Sequence, residues 1–473
     1  MRGALSKNAI ELFSTQTFLF GILGAILIQN AKGQWTQSPP SSPTTPSPPA
    51  NKDELVFVHT VWRHGDRTPV FIFPNDPNQE EVWSQGFGEL TTRGMAQQVK
   101  LGHFLRKRYI EQLGLLSSQY NSKEVYVIST DVNRTIQSAT ANMIGMYSAG
   151  ARWGTDYPDV PEWPSAFVPV PVHTYEFKKD PVGLTRSFCQ RTNELFDLVA
   201  QSPEYQQLND SSLTLMEKAV NIERTHGLKP PEWAVQIVSQ LIAINTKLID
   251  FNSGLGLKPF LGIDFAVEVP KMLGGTFLWQ IIERMDQKIE CLKNKAYQNQ
   301  SPKGILANKL PPACRWMNSL KYYAHSAHDM TLAALFSTFQ FDHVDFDRNG
   351  LPDYAACALI ELWRVSERDE FYVKVLYRRD DEDKLIDMTK RIRGCEHGAC
   401  PIDIFRQRSL PFKPEPDTET LCRTPLVYRP IVLSPNSAGS LPGGTAWASI
   451  VFWPVKAAII LCSNTLLNFN HFL

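Results

Sequence analysis

The chain has 473 residues, and 48 Lys and Arg balance 48 Asp and Glu, so its formal net charge is zero. A protein dedicated to nucleic acid normally needs a strongly basic face, so no nucleic-acid partner is expected. Hydrophobic residues form 43% and charged residues 20% of the chain, which is typical of a globular protein and argues against extensive disorder.

The N-terminus predicts a cleaved signal peptide over residues 1–33. Arg2 and Lys7 precede an apolar run, Phe18–Ile28, and a small-residue cleavage signal follows at Ala31–Gly33. A membrane anchor is the alternative, but this apolar run is short for a bilayer. Export would place the chain in the secretory pathway, as a secreted or lysosomal protein, and disulfides would be the default for its cysteines.

Residues 34–52 predict a linker, because proline is frequent there and large apolar residues are scarce. The folded domain is predicted over residues 53–430. Between about 160 and 270 strands are scarce, while Arg191–Ala200 and Trp233–Phe251 have helical character, so this part predicts a smaller helical insertion.

Three short apolar runs predict strands, and each is followed by a polar loop and a helical stretch. They are Glu54–Trp62, Val125–Ile128 and Leu320–Ala324. Two later runs, Cys357–Arg364 and Phe371–Arg378, predict an antiparallel hairpin. The expected fold class is therefore α/β, with a mixed, mostly parallel sheet and helices on both faces.

The C-terminal residues 431–473 predict a low-complexity tail with an apolar segment at 445–462. A plain spanning helix is one interpretation, although Pro454 and Lys456 within the segment disfavour it. A lipid-anchor signal beginning near Ser437 and an unstructured secreted tail are the others. A membrane tether through this segment therefore stays open.

The polar loops after the three strands carry the candidate functional residues. They are Arg63, His64 and Arg67 in the first loop, Arg134 in the second, and His328 and Asp329 in the third. Guanidinium groups match phosphate oxygens, and histidine is a nucleophile only when its imidazole is neutral. Positive charge nearby favours the neutral form of His64. A metal site is not expected, because His59 and His64 would point to opposite faces of a strand and no further ligand group accompanies them.

These loops resemble the histidine acid phosphatases over most of the chain, from Leu55 to Cys422. Four segments carry the likeness: Arg63–Pro69 (RHGDRTP), Trp83–Gly94 (WSQGFGELTTRG), Ser129–Thr135 (STDVNRT) and Ser326–Asp329 (SAHD). The resemblance implies hydrolysis of phosphate monoesters at acid pH through a phosphohistidine, with no metal or cofactor. It also suggests a homodimer.

The resemblance assigns a role to each matching residue. His64 would attack phosphorus, and Asp329, protonated, would donate a proton to the leaving alcohol. The phosphoryl oxygens would be held by Arg63, Arg67, Arg134 and His328.

Two other functions stay open. A phytase-like phosphatase would act on inositol phosphates, and a catalytically silent binding or antigenic protein would keep the fold without turnover. The second is disfavoured, because His64, Asp329 and the three arginines are all present.

The resemblance also bears on the eight cysteines. It suggests the bridges Cys395–Cys400 and Cys189–Cys422, and it leaves Cys357 without its usual partner. Cys357 is then unpaired or bridges Cys291 or Cys314, and a bridge is favoured. Among three N-x-S/T sequons, Asn209 is the best glycan acceptor, since Asn133 abuts the proposed site and Pro302 follows the sequon of Asn299.

Overall fold

A computed structural model describes residues 53–70, 79–176, 180, 182, 189–208, 243–244, 246–300, 311–341, 351–365, 369–379 and 384–428. The predicted signal peptide, the linker and the tail with its segment 445–462 lie outside these residues, as does Asn209. Across the described ranges, no helix is long and apolar enough to cross a membrane.

The core of the fold is one sheet with the strand order β3-β2-β4-β1-β5-β6-β7, and β8 pairs with β6. The strands are β1 Glu54–Arg63, β2 Val125–Ser129, β3 His173–Thr174, β4 Tyr322–Ala327, β5 Cys357–Arg364, β6 Phe371–Arg378, β7 Ile386–Asp387 and β8 Cys400–Pro401. The pairings from β3 to β1 are parallel, and those from β1 onward are antiparallel. The predicted mixed sheet is confirmed, but among the described strands four pairings are antiparallel and three are parallel, so it is not mostly parallel. The hairpin and the short strands supply the antiparallel part.

Helices cover both faces of the sheet, as the α/β prediction requires. The described helices are α1 Thr92–Arg106, α2 Asn133–Tyr147, α3 Gln190–Gln201, α4 Phe265–Pro270, α5 Thr276–Gln300, α6 Pro312–Met317, α7 Asp329–Phe339, α8 Ile402–Ser409 and α9 Thr418–Arg423. A π-helical segment, Lys107–Gln112, continues α1, and another, Lys271–Gly275, joins α4 to α5.

Side chains alternate along β1, and each set packs against different helices. Phe57 and Val61 belong to the apolar cluster that includes α5 and α7. Val58 and Trp62 belong to the cluster on the opposite face, which includes α1 and α2. Both faces of β1 are therefore buried, which explains its nearly continuous apolar sequence.

A third apolar cluster joins the part of the chain where the helical insertion is predicted to the end of the described chain. Leu195 and Val199 of α3 pack with Phe265 of α4 and with Leu426 near the end of the described chain. The predicted helix Arg191–Ala200 is confirmed as α3. Of the predicted helix Trp233–Phe251, residues 246–251 are helical, and most of the rest lies outside the described residues. The insertion as a separate domain stays a prediction.

β4 extends to Ala327, three residues beyond its predicted end. His325 therefore lies within the strand, opposite Val61 of β1 and Ile128 of β2. Its imidazole is buried, with 2% of its surface exposed. The polar residues of this segment predict a loop, whereas hydrogen-bonded pairing with β1 on one side and β2 on the other makes it part of a central strand.

The disulfides confirm two of the predicted bridges and contradict the bridge favoured at Cys357. Cys189–Cys422 and Cys395–Cys400 are bridged as expected. Cys291 and Cys314 bridge each other, and Cys357 is free and buried, so the favoured bridge at Cys357 is wrong. The sheet is the physical reason. Cys357 packs on the face of α1 and α2, while Cys291 and Cys314 lie in the cluster on the opposite face.

Candidate active site

The carboxyl ends of β2, β4 and β1 lie side by side because these strands are parallel neighbours. The loops that follow them are joined by backbone hydrogen bonds. The N–H of His64 donates to the carbonyl of Ala327 over 3.0 Å, and the N–H of Thr130 donates to that of Ser326 over 3.1 Å. All six residues proposed from the sequence therefore lie at one edge of the sheet, as expected for α/β proteins.

His64 follows β1 directly and is 2% exposed. Its Nδ1 lies 2.8 Å from the carbonyl oxygen of Gly65. A carbonyl only accepts hydrogen bonds, so Nδ1 carries the ring proton and Nε2 keeps a lone pair. Burial lowers the pKa of His64 well below its usual value, and electrostatic interaction with His328, Arg63 and Arg134 lowers it further. The imidazole is therefore neutral at mildly acid pH.

Two glycines allow the His64 loop to pack against the start of α1. A Cβ on Gly65 would lie 2.2 Å from the carbonyl oxygen of Gly94, and a Cβ on Gly94 would lie 2.1 Å from that of Asp66. Thr91 caps α1 by accepting from the N–H of Gly94, and its hydroxyl donates to Oδ2 of Asp66 over 2.7 Å. The segment Trp83–Gly94 thus serves to position the loop of His64.

Arg63, the last residue of β1, is fixed on three sides. One of its amino groups forms an ion pair with Asp329 at 2.9 Å, and the other donates to the carbonyl of Pro352 over 2.6 Å. Its guanidinium carbon lies 4.2 Å from the centre of the Tyr354 ring. That ring also lies 5.8 Å from the ring of His64.

Tyr354 is a site residue that the sequence reasoning missed. The signal was topological: β5 is antiparallel to β1 and begins at Cys357, so the residues before it must lie where β1 ends. No polar motif marks this position.

Arg134 and Arg67 occupy the side of the site near α2. Arg134 is 6% exposed at the second residue of α2, and its guanidinium donates to the carbonyl of Gly88 over 3.4 Å. Burial and the charge of Arg67 lower the pKa of Arg134 to about 10. It therefore stays cationic at acid pH. Arg67 donates to the carbonyl of Thr68 over 3.0 Å.

His328 is oriented by two threonine hydroxyls. The Thr135 hydroxyl donates to the carbonyls of Val132 (2.8 Å) and Thr130 (3.0 Å), so its contact with the Thr130 hydroxyl at 2.9 Å must be one that it accepts. The hydroxyl hydrogen of Thr130 is therefore already donated to Thr135, so the Thr130 oxygen accepts from Nε2–H of His328 at 3.0 Å. Burial and the charge of Arg134 lower the pKa of His328 to about 3, so this imidazole is neutral in the free protein.

Asp329 begins α7, and its Oδ1 accepts from the N–H of Met330 over 2.7 Å. Burial favours the neutral acid, but the Arg63 guanidinium and His328 outweigh burial and hold the pKa of Asp329 below its usual value. The carboxyl is therefore ionised in the free protein. Within the described ranges, no group of three or more His, Cys, Asp or Glu side chains could hold a metal ion.

A sequence model of the histidine phosphatase superfamily (branch 2) matches residues 54–378. Lysosomal acid phosphatase from Homo sapiens is 32% identical over 393 residues, which cover 78% of this chain and 80% of that protein. The chain belongs to the histidine phosphatase superfamily, branch 2. Testicular acid phosphatase from Mus musculus is 30% identical over 392 residues, covering 76% of this chain and 80% of its own.

Among solved structures, the apo form of Hafnia alvei phytase covers 80% of this histidine phosphatase and 100% of its own chain. The TM-score is 0.48 and the sequence identity is 16%. The family assignment rests on the sequence matches. The family match and the acid phosphatase relatives identify the chain as a phosphomonoesterase.

Proposed function

We propose that this histidine phosphatase hydrolyses phosphate monoesters at acid pH with His64 as the nucleophile. The observation that carries the proposal is the contact of His64 Nδ1 with the Gly65 carbonyl, which leaves the Nε2 lone pair for attack. Burial and the neighbouring positive charges keep that imidazole neutral where an exposed histidine would be protonated.

The proposed roles of the other residues follow from their charge and position. Arg67 and Arg134 hold phosphoryl oxygens, together with Arg63, whose guanidinium already binds a carboxylate. His328 lies beside His64, with 5.6 Å between their ring centres, and belongs to the same cluster. The guanidinium charges stabilise the charge on the phosphoryl oxygens during transfer.

Asp329 is proposed to move the proton. His64 Nε2 forms a bond to phosphorus while the bond to the alcohol oxygen breaks, and the Asp329 carboxyl gives its proton to that oxygen. Water then attacks the phosphohistidine, the N–P bond breaks, and the carboxylate takes a proton from the water. Each group returns to its starting state.

The pKa shifts of Asp329 and His64 favour activity at acid pH. Asp329 is ionised in the free protein, so it must gain a proton before it can donate one. A bound phosphoryl group competes for Arg63 and adds a like charge beside the carboxyl, and both effects raise the pKa of Asp329. Acid pH supplies this proton, while the lowered pKa of His64 protects the nucleophile.

The wider setting is also proposed. The disulfides and the lysosomal and testicular relatives support passage through the secretory pathway. We place a cleaved signal peptide at 1–33, with secretion or lysosomal delivery of the mature chain. Segment 445–462 is a candidate membrane tether, and a secreted tail is the alternative. Assembly as a homodimer is a further part of this proposal.

Trapping of the phosphoenzyme tests the proposal. We expect turnover of a radiolabelled phosphate ester at acid pH, stopped by a rapid alkaline quench that preserves the acid-labile N–P bond, to label the wild type at His64. His64→Ala should lose both the label and turnover of p-nitrophenyl phosphate. His397→Ala, at an exposed histidine, is the control and should be labelled like the wild type. Equal labelling of His64→Ala would reject the assignment. Absence of any turnover, with inorganic phosphate still bound, would favour the catalytically silent alternative.

A further inference from the structure

Glu89 is held between two of the loops that carry the arginines of the site. On one side its N–H donates to the Thr68 hydroxyl over 3.0 Å, and its carbonyl accepts from the N–H of Thr68 over 2.9 Å. Arg67, the residue before Thr68, pairs with Leu90, the residue after Glu89. The backbone of Glu89 is therefore fixed beside the loop of Arg67.

On the other side, the carboxylate of Glu89 meets the start of α2. Its Oε1 accepts from the side-chain amide of Asn133 over 3.1 Å, and Asn133 immediately precedes Arg134. The neighbouring carbonyl, that of Gly88, accepts from the Arg134 guanidinium. A carboxylate is thus held next to the guanidinium of Arg134, at the partly exposed edge of the site.

The proposed chemistry has no task for this carboxylate. Asp329 supplies the proton, and a carboxylate can only repel a phosphate group. The charge of Glu89 reaches the site, since it acts on Arg134 and favours the charged guanidinium. Its effect on an anionic substrate must therefore be considered.

We propose that Glu89 determines the substrate class by selecting esters with a single phosphate over polyphosphorylated ones; this inference rests on the proposed function. The phosphate under attack is held by the arginine cluster, whose charge outweighs that of Glu89. A second phosphate on the same alcohol lies outside that cluster, toward the edge, where Glu89 repels it. The preferred substrates are then monoesters of uncharged alcohols, and inositol polyphosphates are disfavoured.

Glu89→Gln tests the proposal, because it keeps the shape and the Asn133 contact and removes the charge. We compare kcat/KM for inositol hexakisphosphate with kcat/KM for β-glycerol phosphate at low ionic strength. The ratio should rise about fivefold to tenfold, as expected for one charge at close range near a surface, and through KM rather than kcat. The rise should shrink at physiological salt, where the screening length is about 8 Å.

Two further variants isolate the cause. Glu81→Gln removes one exposed acidic charge from the same loop and should leave the ratio unchanged. Asn133→Ala keeps the charge and frees the carboxylate, so the ratio should rise by less than in Glu89→Gln. An unchanged ratio in Glu89→Gln, an equal effect on both substrates, or the same rise in Glu81→Gln would each overturn the proposal.

The result is separable from that of the proposed function. Turnover of β-glycerol phosphate by the wild type tests the phosphatase activity, and only the ratio between the variants tests Glu89. If the wild type turned over neither ester, calorimetric binding of inositol hexakisphosphate and of inorganic phosphate would still measure the discrimination. Equal relative affinities in the wild type and Glu89→Gln would then refute it.

Discussion

Two strands, β1 and β4, position two pairs of histidines, and only one pair lies at the candidate active site. His59 on β1 and His325 on β4 form the interior pair, with ring centres 6.0 Å apart. His64 and His328, which follow the ends of these strands, form the site pair, with ring centres 5.6 Å apart. The two pairs thus have the same residue type, are positioned by the same two strands and have similar distances between their rings.

The surroundings separate the two pairs. In the site pair one ring nitrogen of each histidine has a partner that fixes its proton, the Gly65 carbonyl or the Thr130 hydroxyl. In the interior pair neither nitrogen of either ring has a hydrogen-bond partner among the described residues, and aromatic rings pack around them. Burial lowers the pKa in all four histidines. A lowered pKa therefore does not mark a site histidine, whereas a fixed tautomer beside the arginines of the site does.

The largest expected effect comes from Asp329, the carboxyl that accompanies the site pair. Asp329→Asn should lower turnover of β-glycerol phosphate by about 10²–10³-fold, because general acid catalysis of alcohol departure is lost. The loss should be far smaller for p-nitrophenyl phosphate, whose leaving group needs little protonation. Steady-state rates and the burst of p-nitrophenol measure the contrast. Equal losses on the two esters would show that Asp329 only positions Arg63.

Much of the fold and of the candidate active site could be predicted from the sequence. Short apolar runs ending in polar loops located β1 and β2, and the hairpin strands β5 and β6 have the predicted bounds. The site residues are polar and follow strands directly, so parallel pairing alone brings them together. Local patterns of this kind survive folding because each strand end is fixed by its own sequence.

The rest depends on contacts between distant segments. Tyr354 reaches the site through antiparallel pairing, and Thr130 can accept from His328 only because its own hydroxyl donates to Thr135. His325 falls just after the predicted strand Leu320–Ala324 because its segment is polar, and only pairing with β1 and β2 places it inside β4. Cys357 was favoured for a bridge because the sequence does not say on which face of the sheet a thiol lies.

A smaller effect is expected when the site pair is made to resemble the interior pair. Thr130→Val removes the acceptor of His328 Nε2–H and should lower kcat/KM about tenfold, the order expected for a lost buried hydrogen bond. Thr130→Ser should restore activity. Nitrogen NMR of the histidines should show the Nδ1–H tautomer appearing in Thr130→Val.

Thr140→Val is the matched control, because Thr140 lies on α2, the helix that follows the Thr130 loop, and its hydroxyl donates to the Ile136 carbonyl, 3.1 Å away. This variant should keep wild-type kinetics. If Thr130→Ser were as impaired as Thr130→Val, the hydroxyl would not be what orients His328.

The smallest effect concerns stability, where the two pairs should behave alike. A histidine whose folded pKa is lowered stays neutral in the native state, while the unfolded chain binds a proton below about pH 6.5. Stability from the neutral form is therefore complete above that pH and falls as the pH drops toward the folded pKa, by about 1.4 kcal/mol per pH unit per histidine.

His325→Leu should reduce the pH dependence of the free energy of unfolding by about this slope. Urea unfolding between about pH 6 and about pH 5 measures it, because the unfolded histidine is protonated in this range. His64→Ala should flatten it similarly, since burial lowers its pKa too. A slope in His325→Leu as steep as in the wild type would mean that the interior pair is protonated in the native state. Turnover should separate the two pairs where this slope does not, since both strands bury neutral histidines and only the histidines at their ends face a phosphate.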